Sequence, residues 1–104
     1  MAEGALSFDE ELRFAIANKR LIQFTYDGGG VRVAEPHDYG IQGGAIRLNV
    51  YQLRGESRTR LPDWRLLFAS KLGGLVVLEE TFPGSRGGSH GHHRQWDVLF
   101  ARVT

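Results

Sequence analysis

A chain of 104 residues, 41% hydrophobic and 24% charged, has room for one domain and one core and excludes a second lobe. Cysteine is absent, which excludes a disulfide framework and thiolate chemistry. The net charge of +1 lies far from the strongly basic balance of dedicated nucleic-acid binders. The acidic, Gly- and Ser-containing start from Met1 to Glu11 reads as neither a signal peptide nor a membrane span, so a cytoplasmic address with no membrane partner is expected.

Capping residues and periodicity set the elements. Ser7 followed by Glu10 fits a capping box after a flexible start over residues 1–6. Leu12, Ala15 and Ile16 recur at helical spacing and Asn18 is a fitting stop, so one helix of about three turns is expected. The period then changes to two. Ile22, Phe24 and Tyr26 alternate with Leu21, Gln23 and Thr25, and Asp27-Gly28-Gly29-Gly30 turns the chain into Val31 and Val33. Glu35-Pro36 is expected to end this second strand, because proline removes a ladder donor and restricts the residue before it. Gly43-Gly44 precedes a third strand, with Ile46, Leu48 and Val50 on one face and Arg47, Asn49 and Tyr51 on the other. Gly55 breaks it. Trp64 to Phe68 and Leu75 to Leu78 read as two further strands separated around Gly73-Gly74. A Gly/His-rich loop over residues 83–94 leads to a last strand, Gln95 to Val103. The fold class is therefore mostly β: one N-terminal helix, then a small, closed or half-closed barrel of about five to six strands.

Charge is unevenly placed along these elements. Residues 1–12 carry Glu3, Asp9, Glu10 and Glu11 and no base, whereas residues 47–65 carry Arg47, Arg54, Arg58, Arg60 and Arg65 against Glu56 and Asp63. Eleven of the thirteen basic residues are arginine, the side chain suited to bidentate contact with phosphate or carboxylate. Such a run reads either as a solvated surface or as an anion-binding face.

Signs of catalysis are few. No glycine cluster matches a phosphate-cradling loop. Glu79 and Glu80 are adjacent on a strand and point to opposite faces, so they cannot share a substrate. Ser85, Ser89, His90 and Asp97 hold the letters of a catalytic triad without a nucleophile elbow. His90-Gly91-His92-His93 has the spacing to bind Zn²⁺ or Ni²⁺, but on a glycine-flanked loop without a rigid frame. No enzyme, no cofactor and no physiological metal is expected. Trp64 reads as core or as part of a rim in which Arg65 joins Arg58 and Arg60, with Gln52 and Ser57 as neutral hydrogen-bonding partners.

Several stretches together resemble a known family. Leu12-Arg13-Phe14-Ala15-Ile16 followed by Ile22-Gln23-Phe24-Thr25-Tyr26, then Arg32 with Glu35-Pro36, resemble the opening of WYL domains. Leu48-Asn49-Val50-Tyr51-Gln52 resembles the central strand of that family. Trp64-Arg65-Leu66-Leu67-Phe68, Lys71-Leu72 and Glu79-Glu80-Thr81-Phe82 resemble its closing run. The likeness spans about residues 12–86 and is nearest to stand-alone forms carrying Tyr-Gln, then Gly-x-Ser (Gly55-Glu56-Ser57), then Trp-Arg. It implies an Sm-like, SH3-type barrel of the kind found in bacterial transcription regulators and phage-defence systems, where arginines and aromatics are thought to bind nucleic acid or nucleotide-like ligands. The Trp-Tyr-Leu that names the family falls here on Ile46-Arg47-Leu48, without the aromatic pair.

Two functions follow. The first is a non-catalytic module binding an anionic ligand, a nucleotide or single-stranded nucleic acid. Arg32, Arg58, Arg60 and Arg65 would supply charge, Gln52 and Ser57 hydrogen bonds, and Tyr51 or Trp64 a stacking face. The second is a protein-interaction module that meets a partner protein, or a second copy as a homodimer, through exposed barrel edges.

Overall fold

Ser7 caps the only α-helix among the described residues, which are 7–86 and 95–104 in a computed structural model of the chain. Its Oγ accepts from the Glu10 N–H and the Glu10 carboxylate accepts from the Ser7 N–H, both at 3.1 Å. Helix α1 runs Phe8–Ala17 and ends at Asn18. Asp9, Glu10 and Glu11 in its first turn sit where the helix dipole favours negative charge. Leu12, Ala15 and Ile16 form its buried stripe.

Six strands follow: β1 (Arg20–Tyr26), β2 (Val31–Gln42), β3 (Ala45–Gly55), β4 (Asp63–Phe68), β5 (Leu72–Thr81) and β6 (Val98–Arg102), with a short 3₁₀ turn over Ala69–Lys71. All pairings are antiparallel, in the order β4-β3-β2-β1-β5, with β6 also on β2. The result is a mostly β, barrel-like sheet that stays open, since no ladder joins β4 to β5 among the described residues. The helix stripe meets Leu21, Ile22, Phe24, Val33, Ala34, Tyr39, Leu48, Val50 and Leu67 in one core, closed by Phe82 and Val103. Burying a side chain of the size of Phe24 or Leu48 contributes about 1.5–3 kcal/mol, so this cluster carries the fold.

Pro36 does not end β2. The strand passes through it to Gln42. Up to Ala34 its neighbour is β1, and from Asp38 it is β6, so the proline falls in the gap where one ladder has stopped and the next has not begun. The register against β3 also slips there, from Pro36↔Val50 to Asp38↔Asn49, leaving His37 as the extra residue of a bulge. A missing N–H is tolerated at such a break. Gly73 and Gly74 likewise do not lie before a strand but inside β5, where Gly74 has φ +55° and the register against β1 shifts. The last strand is shorter than its apolar pattern. Asp97, just before it, accepts a hydrogen bond from Gly43 N–H at 2.8 Å and so caps the β2–β3 turn. Ile46 shares the alternation of Leu48 and Val50 but lies beyond the core, exposed, while Asn49 on the opposite face is buried.

Candidate ligand-binding site

The β1–β2 turn, the end of β3, the loop after it and the start of β4 surround one concavity of about 700 Å³. Its lining comes from Tyr26, Asp27, Gly29, Arg32, Glu56, Ser57, Arg58, Thr59, Asp63 and Arg65. Three arginines widely spaced in sequence therefore share one wall. Gly55 makes the sharp exit from β3 that brings the loop here: its φ is +101°, and a Cβ would stand 2.3 Å from the Val31 carbonyl oxygen. Glu56 then reaches back, its carboxylate accepting from the Gly30 N–H at 2.7 Å, and pins the loop to the β1–β2 turn.

The three arginines differ in what holds them. Arg65 is the frame. It donates to Asp63 at 3.2 Å, to the Trp64 carbonyl at 2.9 Å, to Ser57 Oγ at 2.8 Å and to Thr59 Oγ1. Ser57 Oγ in turn donates to the Thr59 carbonyl, so its hydrogen-bonding capacity is used within the loop. Among the described residues the Arg32 side chain has a single hydrogen bond, at 3.4 Å to Gln52 Oε1, and its guanidinium lies 5.3 Å from the Tyr26 ring centre. Its Nε is buried and meets no acceptor among the described residues. Arg58 is exposed and makes neither a hydrogen bond nor an ion pair among the described residues.

The remaining sequence candidates lie elsewhere. Arg60 does not line the concavity. Gln52 is fully buried beneath it, donating to the Glu56 carbonyl at 2.8 Å and more weakly to Arg54, so it supports the loop from below. Tyr51 and Trp64 are also outside the lining; they meet edge to face at 5.1 Å, and Trp64 packs on His37 at 4.7 Å. The aromatic in the concavity is Tyr26. Neither of the rings expected to stack on a ligand, Tyr51 or Trp64, lines the concavity. The signal for Tyr26 was present as the aromatic closing β1 just before the glycine turn. The acidic lining, Asp27, Glu56 and Asp63, gave no such signal.

A second polar cluster is buried, and of its members only Gln52 was a site candidate from the sequence. Glu35, His37, Asp38, Asn49 and Gln52 are buried. Arg86 closes over Glu35 with bonds of 2.7 and 2.8 Å, and its guanidinium lies 4.1 Å from the Tyr51 ring centre. The hydrogen bonds to Glu35 raise the Arg86 pKa. Asp38 receives the Arg102 Nε–H at 2.8 Å. His37 Nδ1 lies 3.0 Å from the Glu35 carbonyl, which can only accept, so that nitrogen carries the proton.

Ser85 and Asp97 are tied to different parts of the fold, Ser85 N–H to Thr104 and Asp97 to Gly43. The His90–His93 group lies outside the described residues. Among the described residues no group of three or more His, Asp or Glu side chains is placed to hold a metal ion. No helix among them is long and apolar enough to cross a membrane. The chain matches no protein-family model, no curated protein and no solved structure.

Proposed function

We propose that this chain is a WYL-like, non-catalytic recognition module of the cytoplasm, and that its concavity binds an anionic, nucleotide-like ligand. One observation carries the proposal: Arg32 from β2, Arg58 from the loop and Arg65 from β4 line a single concavity of about 700 Å³, with Tyr26 beside them. That volume is the size of a small-molecule site. Guanidinium groups gathered over a hydrogen-bonded frame are the arrangement that binds phosphate or carboxylate. Arg65 organises the wall, and Arg32 and Arg58 meet the ligand.

The interaction-module alternative has less behind it. An edge strand recruits another chain through unpaired backbone groups, and β4 meets those groups with side chains. Asp63 accepts from the Trp64 N–H, Arg65 donates to the Trp64 carbonyl, Arg47 donates to the Leu66 carbonyl, and Tyr26 accepts from the Phe68 N–H. Trp64, Leu66 and Phe68 are alternate residues, as a free antiparallel edge requires.

Binding of adenosine 5′-monophosphate and of a short oligonucleotide, followed by chemical-shift change in the wild type and in Arg58→Ala, tests the proposal. Binding by at least one of the two that weakens about tenfold on losing Arg58 is expected, the size of one charge-assisted contact. No binding of either at low salt, or binding indifferent to Arg58, would sink it.

A further inference from the structure

We infer that the concavity selects a terminal phosphate monoester on a small molecule and disfavours the continuous phosphodiester backbone of a nucleic acid. The inference rests on the anion-binding proposal and narrows it to one ligand class.

The lining is charge-balanced. Asp27, Glu56 and Asp63 stand around Arg32, Arg58 and Arg65. Arg65 is engaged by Asp63, Ser57, Thr59 and Trp64, which leaves two guanidinium groups for a ligand. A phosphate monoester carries nearly two charges near neutral pH, matching two arginines, whereas each diester phosphate carries one. A strand laid across the concavity would bring successive phosphates past carboxylates. Of these, the Asp27 carboxylate is exposed, its one ion pair among the described residues a 3.9 Å contact to Lys71, and its charge faces whatever approaches. Glu56 keeps its carboxylate within the lining while one oxygen holds the Gly30 N–H. A single phosphate seated between Arg32 and Arg58 avoids that repulsion, and a chain of them cannot.

The test uses the full chain and four probes: inorganic phosphate, adenosine 5′-monophosphate, and one octathymidylate with and without a 5′-phosphate. Each is titrated at about 50 and about 200 mM salt, against wild type, Arg58→Ala and Asp27→Asn. Expected is similar affinity for the monophosphate and the 5′-phosphorylated strand, at least tenfold weaker binding of the unphosphorylated strand, and for the phosphorylated strand a log–log salt slope no steeper than about −1.4, as for the two charges of one monoester. Asp27→Asn, at a φ of +53° that asparagine also adopts, should tighten the unphosphorylated strand several-fold, and more than it tightens the monophosphate. If the unphosphorylated strand binds as tightly as the phosphorylated one, with a slope of −2 or steeper and dependence on Arg58, the monoester inference falls while the anion-binding proposal stands. If no probe binds, or if binding ignores Arg58, both fall.

Discussion

Arg86 and Glu35 meet through two parallel hydrogen bonds of 2.7 and 2.8 Å, across 51 residues of sequence. The carboxylate is 3% exposed and the guanidinium side chain 42%. Removing the arginine leaves a buried charge unpaired, while its half-exposure lets water screen part of the loss. Arg86→Ala is expected to lower stability by about 2 kcal/mol, and Arg86→Lys to recover less than half, since an ammonium offers neither the fork nor the flat face over Tyr51. Urea unfolding of the three proteins measures this. A loss under about 0.5 kcal/mol for the alanine variant would show the pair to be superficial.

Tyr39 sets an alkaline limit on stability. Burial, and then its hydrogen bond to Asp9 at 2.8 Å, push its pKa up from 10 to about 12. The fold therefore favours the neutral phenol. Its contribution is complete below pH 10 and is lost as pH rises from 10 through about 12. At neutral pH, Tyr39→Phe should cost about 1 kcal/mol for the lost hydrogen bond. The stability gap between the two proteins should then shrink between pH 10 and 12, and a constant gap in thermal denaturation over that range would contradict the assignment.

Two arginines of the same concavity should separate by role. Arg65→Ala removes four hydrogen bonds that hold the 57–63 segment and should cost about 1–2 kcal/mol, with faster amide exchange in the loop. Arg58→Ala touches none of them and should stay within about 0.5 kcal/mol of wild type. Equal destabilisation by both would show that Arg58 is structural as well.

Arg47 guards the edge of the sheet. It donates to the Leu66 and Leu67 carbonyls at 3.3 Å and lies 3.8 Å from the Phe68 ring centre. Arg47→Ala should cost about 1 kcal/mol and expose both the β4 edge and Phe68. Sedimentation velocity over a range of concentrations should then detect association absent from the wild type. An Arg47→Ala protein that sediments as the wild type does at every concentration would remove the guarding role.

What the sequence determined by itself was local. The capping box, the Leu12-Ala15-Ile16 stripe, the turn after Tyr26 and the break at Gly55 depend on side chains a few residues apart, and all are legible as text. So is the mostly β class, because period-two alternation follows from backbone geometry whichever strand lies alongside. Tertiary structure decided the rest. Pro36 lies within a strand because β2 exchanges β1 for β6 beside it, and no residue near Pro36 records where β6 will fall. Arg32, Arg58 and Arg65 share a wall whereas Arg60 does not, a distinction between equal charges that only the path of the loop makes. The Glu35–Arg86 and Asp38–Arg102 pairs span 51 and 64 residues. Such contacts depend on strand order and register, and these are set by how the whole chain buries its apolar surface rather than by any short run of it.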